Sequence, residues 1–457
     1  MNRRKWATAG LPLTMAAMLA TACGGNTNDN GAQGTTGAVE TTAQESAGAS
    51  QSAEVNKDPV TLRYLTWDYS DRTVSTDAWI ASLKDSMQIT IDMQNVPTDQ
   101  YNVTLKTKYA ATDLPDLVKT HGIDRKLNLS EKLTIDPDQF VDLSDLPAIA
   151  DFVPSVIQDR KSNEAGKLYY VPVSTNALGV LYNKKTFADN GIAIPTTLND
   201  FIAACEKLNS AGVTPIAAGF KDSWTTQIIP FIAFGQFVNA KHPEAKAQLA
   251  DGSLKYADLK EDVLKALNVQ LDWIDKGFFQ KDILGTDINV ASQMVGTGKA
   301  AMLINGTWQL GAVQASNPDA EIGFFALPLN ATGEKTILPT SADEGILINA
   351  KSKHLEKAKE ALNAYLSAEN QTLVINDLKG IPTNTKVQVT DPFVKEVQAA
   401  MAAADVQSDW WGGNGYYQPS GTAFSMDKSI QNLIAKGTTP EQFIADYDAA
   451  NAKALGK

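Results

Sequence analysis

The most uniformly apolar run of the chain, Ala300-Ala301-Met302-Leu303-Ile304, has the length and character of a strand covered on both faces. Asn305-Gly306 follows it as a turn signal and leaves Trp308 just past the strand's carboxyl end. Ligands of open α/β sheets bind at that end, so Trp308 is either a ligand-facing plane or a core side chain. The chain opens its ordered part in the same manner. Val60 to Thr66 alternates as a strand and delivers Trp67-Asp68 to its carboxyl end. Trp79, Ile80, Leu83 and Met87 fall at helical spacing within Thr76 to Met87, Ile89 to Val96 reads as a second strand, and Tyr101 to Ala111 as a further helix. A short strand then ends at Thr120-His121. Strand, helix, strand in this order predicts a mostly parallel sheet.

Further along, two strand-like pieces flank a turn region at Ser174-Thr175-Asn176-Ala177, and a helix over Thr186 to Asn190 closes at Gly191. Thr197 or Asn199 caps the helix that carries Phe201, Cys205 and Leu208. Trp224 stands at a loop-to-helix junction before an apolar helix, Ile228 to Phe237. Trp273 recurs with Leu267 and Leu271 at near-helical spacing and reads as core, as does Trp79. Strands at Ile322 to Leu327 and Ile346 to Asn349, an amphipathic helix at Lys353 to Glu369, and helices at Ser429 to Ala435 and Pro440 to Ala450 complete the pattern. Between them lies Asp409-Trp410-Trp411-Gly412-Gly413-Asn414-Gly415-Tyr416-Tyr417. No regular element covers four large rings among glycines, so they must face a partner or a cleft.

At 457 residues the chain is too long for one core and predicts two or more lobes. A net charge of -12 and a pI near 4.9 exclude nucleic acid and anionic membrane surfaces as partners of the folded body. The amino terminus is a leader: Arg3, Arg4 and Lys5, then an apolar segment from Trp6 to Ala22 that Pro12 interrupts. It closes at Ala20-Thr21-Ala22-Cys23. These residues resemble the lipobox of bacterial lipoproteins, with Ala20 where leucine is usual, and the resemblance implies lipidation of Cys23; a secretory leader cut at Ala-x-Ala is the alternative. Gly24 to Lys57 has scarcely any aliphatic side chain and cannot offset its own ordering entropy. A tether of about 34 such residues spans on the order of 30 Å. The one other cysteine, Cys205, sits in a helical pattern and reads as a buried thiol.

His121, His242 and His354 lack metal-ligand spacing, no cysteine pair is present, and Gly296-Thr297-Gly298-Lys299 lacks the Walker spacing. Neither a metal site nor a cofactor is expected. Asp68, Asp343 and Glu344 all fall near strand ends. Two of them could act as the acid and base of a glycosidase, but carboxylates among aromatics also accept hydrogen bonds from sugar hydroxyls, which is the less demanding role.

Gly298-Lys299-Ala300-Ala301-Met302 followed by Asn305-Gly306-Thr307-Trp308 resembles a signature of the family 1 extracellular solute-binding proteins of ABC importers, the maltose-binding-protein-like group. Tyr169 to Pro172, Tyr182-Asn183-Lys184, Gly191 and Pro195 to Phe201, with Asp200 in place of glutamate, resemble the same family, as does Ile381-Pro382-Thr383. The resemblance implies an α/β, two-lobed fold of the type II periplasmic-binding-protein kind, each lobe a mostly parallel sheet flanked by helices, joined by three crossovers. These fall near Ser174 to Asn176, near Ser341 to Glu344 and around Lys386 to Pro392. The expected organisation is a signal peptide (1-22), a lipid-anchored tether (23-57), an N-terminal lobe (59-173 plus 345-384) and a C-terminal lobe (177-340 plus 393-457). It implies a monomer that performs no chemistry, anchored through Cys23 on the extracellular face of a bacterial, Gram-positive cell membrane. There it captures an oligosaccharide by hinge closure and delivers it to ABC transporter permease subunits. Trp67, Trp224, Trp308, Trp410 and Trp411, with Tyr416 and Tyr417, supply the stacking surfaces expected of such a cleft. Asp68, His121, Asn176, Asp343 and Glu344 supply its polar rim. A secreted glycan-active enzyme and a peptide or amine receptor on the same fold are the competing readings.

Overall fold

The computed structural model describes residues 59–67, 69–120, 127–128, 134–135, 139–161, 166–408, 419 and 423–457. Cys23, the segment 24–57, Asp68, His121, Trp410, Trp411, Tyr416 and Tyr417 lie outside them, as does the side chain of Asp343. In chain order the described strands are β1 (Val60–Thr66), β2 (Ile89–Asn95), β3 (Leu117–Thr120), β4 (Leu127–Asn128), β5 (Thr134–Ile135), β6 (Ser174–Asn183) and β7 (Thr214–Ala217). They continue with β8 (Ala300–Gly306), β9 (Ile322–Phe325), β10 (Ile337–Asp343), β11 (Gly345–Ile348), β12 (Ile381–Pro382) and β13 (Asp405–Ser408).

The first sheet has the order β11-β3-β1-β2. β1 runs parallel to β2 and β3, as the strand-helix-strand opening requires, and β11 returns antiparallel to β3. All four residues of β3 are buried, Lys119 among them. One face of the sheet is covered by the helices Thr73–Met87, Leu355–Tyr365 and Ala368–Leu378. Trp79 is 1% exposed between Tyr64 and Tyr365, whose rings meet it edge-on at 5.9 and 5.2 Å. Its indole Nε1 donates to the Ala361 carbonyl at 2.9 Å, which satisfies the only polar atom that a core tryptophan brings with it.

The second sheet has the order β13-β10-β6-β8-β7, with β9 and β12 also paired to β6. It is mixed: β6 runs antiparallel to β8, β9, β10 and β12, whereas β7–β8 and β10–β13 are parallel pairs. Every residue of β8 is buried. Beneath the sheet, Phe201 packs on Trp273 with ring centroids 4.9 Å apart, and Cys205 is fully buried, which pushes its thiol pKa well up. The helix holding Phe201, Leu198–Ser210, starts at Thr197. The Thr197 Oγ1 accepts the Asp200 amide at 3.2 Å, and the Asp200 carboxylate accepts the Thr197 amide at 3.1 Å. Aspartate therefore closes the capping box that the sequence pattern assigns to glutamate.

Two local expectations fail for the same reason. Ser174-Thr175-Asn176-Ala177 is no turn between two strands but the first part of the single ten-residue β6, because β10 pairs with it from Asp343↔Ser174 to Thr340↔Ala177 and β12 covers its other side at Ser174 and Thr175. Asn305-Gly306 likewise ends β8 inside the sheet, with Gly306 opposite Leu178 and in an extended conformation, φ -86° and ψ 159°. The chain turns one residue later, in the 3-10 turn Thr307–Gln309. The apolar helix Ile228–Phe234 also changes character and winds on as a π turn, Gly235–Asn239.

Among the described residues three segments pass between the sheets. Val173 leads directly into β6, and Glu344 alone separates β10 from β11. The third leaves Thr383 and Thr385, which are bonded to Val153 and Asp151, and reaches the helix Pro392–Ala403 against β9. Asp391 caps that helix and binds Lys379 Nζ at 2.8 Å.

Thr197→Ala should destabilise the second lobe by about 1 kcal/mol, the usual value of a lost cap, as read from urea denaturation. Burial works to raise the Asp391 pKa, but Lys379 and the Phe393 and Val394 amides hold it below the ordinary carboxylate range. The stability it contributes is therefore complete above that range and lost as the pH falls through the lowered folded-state value. Asp391→Asn should lower stability at neutral pH and flatten its decline as the pH falls below about 4, the ordinary carboxylate value.

Candidate ligand-binding site

At the carboxyl end of β8 the local backbone fixes the direction of an indole. An added Cβ at Gly306 would stand 2.0 to 2.3 Å from three atoms of the six-membered ring of Trp308, so only glycine lets that ring fold back over the strand end. Trp308 then lies beside Trp224, centroids 6.5 Å apart and planes tilted by 44°, both half-buried against the core of the second sheet. Trp224 belongs to the 3-10 turn Ser223–Gln227, and two carboxylates pin that turn. Asp222 accepts the Ile288 amide at 2.8 Å, while Asp427, on the helix Met426–Ile434, accepts the Ser223 hydroxyl at 2.6 Å. The Asp427 carbonyl accepts from Thr226 Oγ1 at 2.9 Å. Beneath the pair, Thr307 Oγ1 donates to Asn176 Oδ1 at 3.3 Å, so the base of Trp308 is tied to β6. A depression of about 230 Å³ at the ends of β7 and β8 is lined by Gly219, Thr225, Ile288 and Asn305 among others, but by neither indole.

The corresponding end of the first sheet holds Trp67, 2% exposed. Tyr101 meets its ring edge-on at 4.5 Å, and Lys119 Nζ lies 4.3 Å from the ring centroid while donating to the Trp67 carbonyl at 3.3 Å. Trp67 and Lys119, with Thr66, Tyr69 and Arg72, line a depression of about 300 Å³. Glu344 is tied to two of its lining residues. Its carboxylate pairs with Arg72 and lies 3.6 Å from Lys119 Nζ, and all three side chains are about nine-tenths buried or more. Burial works to lower the Arg72 pKa, and the Glu344 carboxylate more than offsets it, so the guanidinium is held charged. The same burial pushes the neighbouring Tyr365 phenol up to about 12. Glu344 has φ +53°, a left-handed conformation that is strained for a residue with a side chain. Gly345 follows it because a Cβ there would stand 2.7 Å from the Tyr170 ring and 2.7 Å from the Val171 carbonyl.

The structure thus brings Trp224, Trp308 and Asn176 into one group on the second sheet, and Trp67 and Glu344 into another on the first. Asp343 is the last residue of β10, next to Glu344 in the chain. Asp68, His121, Trp410, Trp411, Tyr416 and Tyr417 fall outside the described residues, although the helix beginning at Met426 packs on the Trp224 turn. Sequence reading passed over Arg72, Lys119 and Thr307. A lysine inside Leu117-Val118-Lys119-Thr120, otherwise a buried strand, was the available signal for one of them. Among the described residues no group of three or more His, Cys, Asp or Glu could hold a metal.

The family model for bacterial extracellular solute-binding proteins matches residues 72–372. The multiple sugar-binding protein of Streptococcus mutans is 27% identical over 347 residues, 74% of this chain and 78% of that one. The melibiose/raffinose/stachyose-binding protein MelE of Bacillus subtilis is 24% identical over 348 residues, with the same two shares. Among solved structures, a chitin oligosaccharide binding protein superposes with a TM-score of 0.73 at 23% identity, covering 88% of this chain and 100% of its own. A sugar transporter of Bacillus licheniformis in complex with stachyose gives 0.71 at 19%, covering 86% and 100%. These likenesses establish the two-lobed, type II periplasmic-binding-protein fold.

Gly306→Ala should swing the Trp308 indole away from Trp224 while the β6–β8 pairing persists. Near-UV circular dichroism should then change with the far-UV spectrum preserved.

Proposed function

Because the chain belongs to the family of bacterial extracellular solute-binding proteins, a family of binding proteins and not of enzymes, we propose that it is the sugar receptor of an ABC importer. An oligosaccharide enters between the lobes 59-173 plus 345-384 and 177-340 plus 393-457, and contacts to both stabilise the closed form, which a permease then unloads. The observation that carries this reading is the tilted Trp224–Trp308 pair at the carboxyl end of β8, at the site-forming end of the strand. A pyranose has an apolar face and a rim of hydroxyls, so flat indoles take the face and carboxylate, amide and imidazole groups take the rim. Trp67, Trp224 and Trp308 are assigned the first role, joined by Trp410, Trp411, Tyr416 and Tyr417. Asp68, His121, Asn176 and Asp343 are assigned the second, while Glu344, which the sequence pattern placed with them, is occupied by Arg72 and Lys119. The sugars that the relatives are named for or hold, melibiose, raffinose and stachyose among them, support an oligosaccharide ligand. In this reading the protein is a monomer on the outer face of a Gram-positive cell membrane, and the lipobox-like Ala20-Thr21-Ala22-Cys23 supports a lipid on Cys23 as its anchor.

Titration of tryptophan fluorescence with raffinose, stachyose and chitin oligosaccharides, alongside peptides and amines, should give a saturable change with one class of sugar. A response confined to a peptide or an amine would overturn the substrate class. Trp308→Ala should weaken the sugar response by about 2–4 kcal/mol, the range of a binding hot spot, with the unfolding midpoint little changed; loss of folding would return Trp308 to the core.

A further inference from the structure

We infer that Glu344 acts as a positioning residue that couples the β10–β11 crossover to the Trp67 indole through Lys119, rather than meeting the solute itself. This deepens the receptor reading and rests on it only in giving Trp67 a ligand to face. Three observations carry the inference. The Glu344 backbone is the whole link between β10 and β11, in a left-handed conformation that its surroundings must hold in place. Its carbonyl accepts the Val173 amide at 3.1 Å, one residue before β6, so the first two crossovers are bonded to each other at this point. Its carboxylate is shared by Arg72, which precedes the helix Thr73–Met87, and by Lys119, whose ammonium lies over the Trp67 ring and bonds the Trp67 carbonyl.

A buried carboxylate with two cations on it is costly to move, because any displacement leaves a charge without its counter-charge. A change of backbone angle at Glu344 must therefore carry Lys119 with it or break the cluster. Since Lys119 occupies part of the space over the indole, either outcome alters how Trp67 is presented. Linkage is reciprocal: whatever displaces Lys119 from Trp67 must act back on the crossover. A solute that stacks at Trp67 thereby biases the segment about which the lobes turn.

Both directions can be read without any ligand, on the full chain labelled with 5-fluorotryptophan. The Trp67 fluorine line is assigned by its loss in Trp67→Phe, and is followed in Glu344→Gln and Glu344→Asp. The aspartate keeps the charge one methylene short, so it retains a measurable protein if the glutamine variant does not fold. The return direction is read by hydrogen exchange of peptides spanning Val173–Ser174 and Asp343–Ile346 in Lys119→Met. A displaced Trp67 line together with exchange at the crossover about five-fold faster or more, the low end of site-to-site couplings, is the expected result. An unmoved Trp67 line in a folded Glu344 variant, or unchanged crossover exchange in Lys119→Met, would overturn the coupling. Neither readout involves a sugar, so a silent sugar titration beside a moved Trp67 line would sink the sugar reading and leave the coupling standing.

Discussion

Ser174 and Thr175 must have both backbone edges paired, and this requirement organises the region between the sheets. These residues are buried or nearly so, and a buried amide or carbonyl without a partner costs as much as a lost hydrogen bond. β10 supplies one edge and β12 the other, so segments that are far apart in the chain are forced to pass side by side. Thr383 adds a side-chain bond to the Pro172 carbonyl at 2.5 Å, and a Cβ on Gly380 would already be 2.9 Å from that of Ser174. The result is a narrow ribbon of paired strands between the two sheets.

Next to this ribbon the protein keeps three charges out of water. Burying an arginine, a glutamate and a lysine together is not a route to stability, since an apolar replacement of similar shape often does as well or better. Their placement carries more meaning than their energy. Each belongs to a different element: Arg72 ahead of the first helix, Lys119 in β3 and Glu344 between β10 and β11. A cluster of this kind fixes the relative position of the three elements to within the tolerance of an ion pair. It also sets the surroundings of Trp67, whose ring lies between Tyr101 and the Lys119 ammonium.

The two aromatic groups differ in how they are held. Trp67 is enclosed, and its neighbours are charged or polar as well as aromatic. Trp224 and Trp308 are half-buried, and their support comes from beneath, through Asp222, Asp427, Thr307 and a glycine that leaves room for a ring. Rigid indoles presented on supported turns lose little freedom when a ligand stacks on them, which favours binding.

Periodicity and end signals in the sequence were enough for the strands β1, β3 and β8, a helix cap at Thr197 or Asn199, the core positions of Trp79 and Trp273, and the placing of Trp67 and Trp308 just beyond strand ends. Those features depend on neighbours within a few residues, and local chemistry states them directly. Ser174 to Ala177 and Asn305-Gly306 read as turns because their composition favours turns, yet both lie in strands, since partners remote in sequence supply the hydrogen bonds that a turn would have made locally. The pairing of Trp224 with Trp308 and the Arg72–Glu344–Lys119 cluster were equally invisible. Side chains from separate elements meet only once the sheets have ordered their strands, and no spacing along the chain encodes that meeting.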